Sequence, residues 1–370
     1  MKKLTALILA VILILPLVAC SKKYKPVEST PLEATTVYTL SYDGKTYEVK
    51  YELYRALFLN FKSEIDGGDE SVWTGENKEE YIEKINSTVL SLVTDIYAAL
   101  HLCDKIGVNL YNKSTEKKIK EYIKASVEGG VVDGVRYEGV GSYENYLASL
   151  KADNMNYSVA VLMYRYSLAT DAIDEYYIGT LDSGDISGGF KDGAIEYTES
   201  DVRAFYESDE CVRILRHYIQ EGIQGAATEQ YAEAVRGYIL NAALEGDEAV
   251  ANEIMGNSNL ADITEADNII AWYNLDRAYF GEMTDAAFSL SLGEVSEVIR
   301  IRDGHADGYY ILYRAEKSEE HFNDRYSSIC YVYLRNRIGT ALEEIRTELC
   351  ANAYYTDFFS NLLPLDITMD

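Results

Sequence analysis

The sequence predicts an α+β protein, mainly helical, with a smaller α/β domain. Three observations carry this. First, long stretches space apolar residues three and four apart, as in Ile82, Ile85, Val89, Leu92, Ile96, Leu100 and Cys103, the period of one helix face. Second, short β-prone runs lie between such stretches, at Val37–Tyr42, Lys45–Lys50, Val212–Ile219 and Gly308–Tyr313. Third, about 350 residues remain after an N-terminal leader is set aside, more than one domain usually holds, so two domains are expected, one inserted in the other being one arrangement.

The leader spans residues 1–19. Lys2 and Lys3 precede an apolar run from Leu4 to Val18, and small residues follow, the layout of a secretory signal. Leu17-Val18-Ala19-Cys20 resembles a bacterial lipobox, which implies lipidation at Cys20 and a mature chain held on the extracytoplasmic face of the cell membrane. The run is shorter than the ~20 apolar residues of a membrane span, and no later segment reads as long and apolar enough to be one. Losing Lys2 and Lys3 takes the formal net charge from −27 to −29. Nucleic acid needs a basic footprint and is excluded as a partner, whereas Lys22, Lys23 and Lys25 sit where an anionic membrane would attract them.

Residues 20–36, polar and carrying Pro26 and Pro31, read as a flexible tether. Asp43-Gly44 between two β-prone runs predicts a hairpin. A helix follows over 51–65, stopped by Gly67-Gly68, and the longest helix covers 77–106 with Gly107 as its stop. Asn112 starts the next helix, Ser142 a short one, and 157–178 a longer one. The chain has 33 Tyr against 9 Phe. Many apolar faces therefore carry a hydroxyl, which suits either a core exposed at its edges or an adaptable groove for unfolded chains.

Gly, Ser and Asp over 179–197 read as a linker. Thr198 and Asp201 cap a short helix, Val212–Ile219 is a strand, and 228–244 and 246–251 are helical. A helix ending in Ala286-Ala287-Phe288, a Gly293-Glu294 turn and the strand Gly308–Tyr313 complete a βαααβαββ-like order. Tyr326–Cys350 is helical again, and Leu365-Asp366-Ile367-Thr368 reads as a terminal strand.

The hairpin, long helix and Ile106-Gly107-Val108 turn resemble the N-terminal module of the SurA/PrsA foldases. His217 in its strand, Ala286-Ala287-Phe288, Gly293-Glu294-Val295-Ser296 and Gly308-Tyr309-Tyr310-Ile311 resemble a parvulin-type peptidyl-prolyl isomerase domain. The resemblance implies a helical chaperone module over 37–197, an inserted parvulin-like domain over 198–317, and a segment 318–370 packing back on the module. Pairing of the terminal strand with the Tyr38 hairpin goes with that arrangement.

Prolyl isomerisation lowers a barrier of ~18–20 kcal/mol set by amide resonance and needs only tighter binding of the twisted amide than of the planar ones. The resemblance implies His217 and Tyr310 at the two histidine positions, with Tyr279, Met283 and Phe288 lining the proline cup. Its second histidine is a tyrosine here, and no acid or thiol stands at Asn257 or Ser258. The alternative for His217 is a core residue. Two functions follow: an isomerase with weak or lost activity, or a non-catalytic holdase. The partners implied are unfolded or newly secreted polypeptides and the membrane; homodimerisation stays open. No cofactor or metal pattern is visible, and His305 reads as a surface residue. Cys103, Cys211, Cys330 and Cys350 cannot be paired from sequence.

Overall fold

An Asp-Gly turn opens the fold. In the computed structural model, which describes residues 24–181, 189–220, 229–257, 267–271, 277–301 and 308–369, β1 (Thr36–Tyr42) and β2 (Lys45–Lys50) pair antiparallel. Asp43 and Gly44 both take positive φ, 48° and 72°, the pair of left-handed residues that matches hairpin twist. The leader, Cys20, Ser258, Trp272-Tyr273 and His305 lie outside the described residues. The chain divides into two compact units, one of Met1–Ala172 with Ile345–Asp370 and the other of Ile173–Glu344.

In the first unit, α1 (Tyr51–Asp66) ends at Gly67 with φ of 60°. The second helix, α2 (Lys78–Lys105), buries Ile85, Val89, Leu92, Ile96 and Cys103 on the stripe read from sequence. This helix is long and apolar enough to cross a membrane, contrary to the sequence reading. Its half from Leu92 to Cys103 is almost wholly buried, however, as befits the core helix of the unit. Next, α3 (Lys113–Glu128) is capped by Asn112, whose carbonyl oxygen accepts from the Ser114 and Thr115 amides. A hairpin not foreseen follows, β3 (Gly130–Val132) with β4 (Val135–Tyr137), around Asp133 and Gly134 at φ of 50° and 82°. Then come α4 (Tyr143–Ala152), capped by Ser142, and α5 (Tyr157–Tyr177), within which the second unit begins.

The tether expectation is corrected over residues 24–36. Tyr24 donates a hydrogen bond to Glu128 at 2.5 Å, Tyr143 donates to the Lys25 carbonyl at 2.6 Å, and Ser29 donates to Glu52 at 2.5 Å. The polar composition that suggests a loose linker instead supplies partners that lay this segment along the unit.

The second unit opens with β5 (Gly179–Leu181) paired to β6 (Phe190–Asp192), so part of the expected linker is a ladder. Thr198 and Asp201 form a reciprocal capping box at α6 (Glu199–Glu207). A four-stranded sheet follows, in order β8-β7-β10-β9. It is built from β7 (Cys211–Gln220), α7 (Glu229–Ala243), α8 (Asp247–Asn257), β8 (Asp267–Ala271), α9 (Arg277–Ser289), β9 (Ile299–Ile301) and β10 (Gly308–Arg314). The described elements run βααβαββ, and residues 221–228 and 258–266, between the first and second strands, lie outside the described residues. One sheet face is covered by α7 and α8, the other by α9.

After α10 (Glu319–Asp324), α11 (Tyr326–Ala351) carries the chain into the first unit at Ile345. There Arg346 and Asp95 of α2 form a buried ion pair. The strand that meets the first hairpin is β11 (Tyr354–Tyr355), with Tyr355 opposite Tyr38, and α12 (Asp357–Ser360) follows. Leu365–Thr368 is not a strand. Pro364 starts a 3-10 turn there, because its ring removes the amide a ladder would need. No disulfide joins the four described cysteines, and Cys103, Cys211 and Cys330 are buried.

Candidate functional site

Successive side chains of a strand point to opposite faces of its sheet, and directly opposed residues in an antiparallel ladder share a face. The β7–β10 register sets His217 opposite Ile311 and Tyr310 opposite Tyr218. His217 therefore lies on the face of Leu215, Ile219 and Ile311, packed by Val235 and Ile239 of α7 and Ile254 of α8. Tyr310 lies on the other face with Tyr218 and Leu312, against Met283 and Ala287 of α9. The two residues assigned to the histidine positions are on opposite sides of the sheet, and the structure does not bring them together.

His217 is 1% exposed. Burial pushes its pKa down to about 4, while the nearby Ile254 backbone pulls slightly the other way. Neither Nδ1 nor Nε2 closes a hydrogen bond of good geometry. The ring is thus neutral at physiological pH and out of reach of a substrate. This matches the core-residue alternative.

Tyr310 is 4% exposed. Its ring stacks on Tyr218 with centroids 4.6 Å apart, and the Arg216 guanidinium lies 5.6 Å from its centroid. Gly308 is forced by this stack: a Cβ there would meet the Ile219 carbonyl at 2.5 Å and the Tyr218 ring at 2.6 Å. Met283 is 7% exposed, and half-buried Phe288 packs on the same cluster. Met283, Phe288 and Tyr310 are thus brought together on the α9 face, as packed core. Tyr279 lies on the same helix one turn before Met283; its side chain lies outside the described residues.

Comparison with known proteins gives no family assignment. No protein-family model matches the chain, and no curated protein does. Among solved structures, foldase protein PrsA from Streptococcus pneumoniae is similar at 16% identity over 75% of this chain and 89% of that one, with a TM-score of 0.24. PrsA from Bacillus subtilis is similar at 18% identity over 74% and 87%, also with a TM-score of 0.24. Superpositions this loose carry no argument about fold or activity.

Two features outside the expected site were missed by sequence reasoning. A cleft of about 210 Å³ in the first unit is lined by Lys45, Tyr47, Leu100, Asp104 and Val108–Tyr111. Lys45 and Asp104 form an ion pair at it, and the sequence signal, alternating Lys45 and Tyr47 on an edge strand, is too common to single out. The other is the outer surface of α7 and α8. Tyr231, Tyr238, Leu240, Leu244 and Met255 are 42%, 57%, 40%, 87% and 48% exposed. Glu229, Glu233, Glu245 and Glu248 of the same segment are exposed as well. Arg236, the only cation on the two helices, bonds the Ser296 carbonyl and the Glu297 carboxylate, each at 2.7 Å. Helical spacing in the sequence sets Tyr231 and Tyr238 inward with Val235 and Ile239; only the latter two are buried, and the tyrosines are exposed. Among the described residues no cluster of His, Cys, Asp and Glu could hold a metal.

Proposed function

We propose that this chain is an extracytoplasmic folding factor, lipid-anchored at Cys20, that holds unfolded polypeptide without parvulin chemistry. The observation that supports holding is the set of large apolar side chains left exposed along α7, α8 and the turn between them, Tyr238, Leu244 and Met255 among them, on a segment that also carries exposed glutamates. Large apolar side chains left in water on one helix pair favour contact with apolar segments. The carboxylates favour segments that also carry Lys or Arg. Isomerase chemistry is left out because His217 is buried, neutral and on the sheet face opposite Tyr310.

Suppression of aggregation tests this reading. A cationic client such as chemically reduced lysozyme stays in solution with the wild-type chain and aggregates with Tyr238→Asp, Leu244→Asp. Unimpeded aggregation in the presence of the folded wild-type chain would sink the proposal.

A further inference from the structure

The short leash and the surface around its exit point to a second contact with the membrane. Residue 24 is already bonded into the first unit through Tyr24 to Glu128. Only three residues separate it from Cys20, so the four steps between them reach at most ~14 Å. If Cys20 sits at the bilayer surface, the unit's exit point is held within that distance of the headgroups. A linker of that length leaves the surface around Tyr24 no means of standing off.

That surface differs from the rest of the molecule. The chain carries a net charge of −27, yet residues 113–124 hold five lysines against Glu116 and Glu121. Lys113, Lys117, Lys120 and Lys124 are all exposed, and their spacing of four, three and four puts them in one row along α3. The row ends where the leash begins: Lys124 lies 3.9 Å from Glu128, the carboxylate that accepts from Tyr24. Lys25 is exposed next to it, and its carbonyl accepts from Tyr143.

Directly after α3, the β3–β4 hairpin and its return leave three valines in water. Val131 is 66% exposed, Val135 56% and Val140 40%. The Val140 amide bonds the Ser126 carbonyl in the last turn of α3, so this apolar group is fixed at the same helix end. An exposed lysine row followed by exposed aliphatic side chains, next to the anchor's exit and with Asp133 of the hairpin turn paired to Lys118 at 3.0 Å, fits an anionic bilayer surface: headgroup phosphates meet the lysines and the valines enter the interface.

We propose that the α3 end of the first unit, with Lys25, Lys120, Lys124, Val131, Val135 and Val140, docks on anionic lipid. This rests on the anchored, extracytoplasmic reading above, but it can be measured without the lipid.

The chain from Ser21 onward, unlipidated, is mixed with sedimenting vesicles of phosphatidylglycerol and phosphatidylcholine, or of phosphatidylcholine alone. Binding is expected to the anionic vesicles only and to weaken with added salt. Each basic residue at such a surface is worth roughly fivefold in partition. Lys120→Glu with Lys124→Glu therefore lowers binding by at least roughly 25-fold, and Val131→Asp with Val135→Asp lowers it independently. Circular dichroism verifies that the variants are folded.

Equal binding to both vesicle types, no binding to anionic vesicles, or full binding by the folded lysine variant would overturn the proposal. Capture by soluble polyphosphate without capture by vesicles would also overturn it, in favour of a free polyanion. Client holding in vesicle-free solution is expected to be unchanged in these variants. Loss of holding in the wild type would count against the proposed function and leave vesicle binding standing.

Discussion

His217→Leu separates a packing role from a catalytic one. In the folded chain the imidazole is 1% exposed, and neither ring nitrogen closes a hydrogen bond of good geometry, the Ile254 backbone being the polar group nearby. A buried polar group left without a partner costs about 1–3 kcal/mol. Leucine fills a similar volume among Leu215, Ile219, Ile239 and Ile254 and removes that cost, so stability at pH 7 is expected to rise by about 1–2 kcal/mol. The acid response is larger. The folded pKa is pushed down to about 4 from an unfolded value of 6.5. The unfolded chain therefore binds the proton first, and stability is lost as pH falls from about 6.5 towards 4. At about 1.4 kcal/mol per pKa unit, the loss approaches about 3 kcal/mol below pH 4. Urea melts of both chains at pH 7 and pH 4.5 measure it, with carboxylate effects common to both cancelling in the difference. The wild type is expected to lose more stability than the variant over this range. If His217→Leu were destabilising at pH 7 and kept the wild-type pH slope, the ring would have a polar partner and the reasoning would fail.

A chain ending at Ala351 loses the Tyr355–Tyr38 pairing and the Phe359 ring 5.9 Å from Tyr38. Its melting temperature is expected to fall, whereas a chain ending at Asn361 keeps both and stays near wild type; equal melting of the two would remove β11 from the account. Gly308→Ala places a Cβ 2.5 Å from the Ile219 carbonyl. It is expected to cost about 1–3 kcal/mol, the overpacking range, and an unchanged urea midpoint would show that the strands part freely. In a proline-peptide assay the wild-type chain is expected to leave cis/trans relaxation at the uncatalysed rate. Acceleration abolished by His217→Ala would restore the isomerase reading.

Turn chemistry made much of the fold legible in the sequence. Asp43-Gly44 gave its hairpin, and Asp133-Gly134 carries the same signal and could have given the second. The stripe from Ile85 to Cys103 gave α2, but its near-continuous apolar C-terminal half also meets the requirements of a membrane span, and only packing separates the two. The candidate site was less legible because it depends on register. Alternation along β7 and β10 separates neighbours in each strand, but it says nothing about which residues of the two strands face each other. Only the observed pairing of Tyr310 with Tyr218 puts His217 on the far side. Leu365–Thr368 has strand-like residues, yet Pro364 turns the chain, and the strand that pairs is the two-residue Tyr354–Tyr355. Residues 24–36 have the composition of a linker, and composition does not show that Tyr24 and Ser29 each meet a carboxylate.

Holding polypeptide on the α7–α8 surface is tested most directly by titrating a fluorescently labelled, reduced and alkylated lysozyme with the wild-type chain and with Tyr238→Asp, Leu244→Asp. Saturable binding is expected for the wild type, weakened by salt because exposed Glu229, Glu233, Glu245 and Glu248 lie on the same segment, and it is expected to be lost in the folded variant. Binding of equal strength by both chains, or by neither, would contradict it.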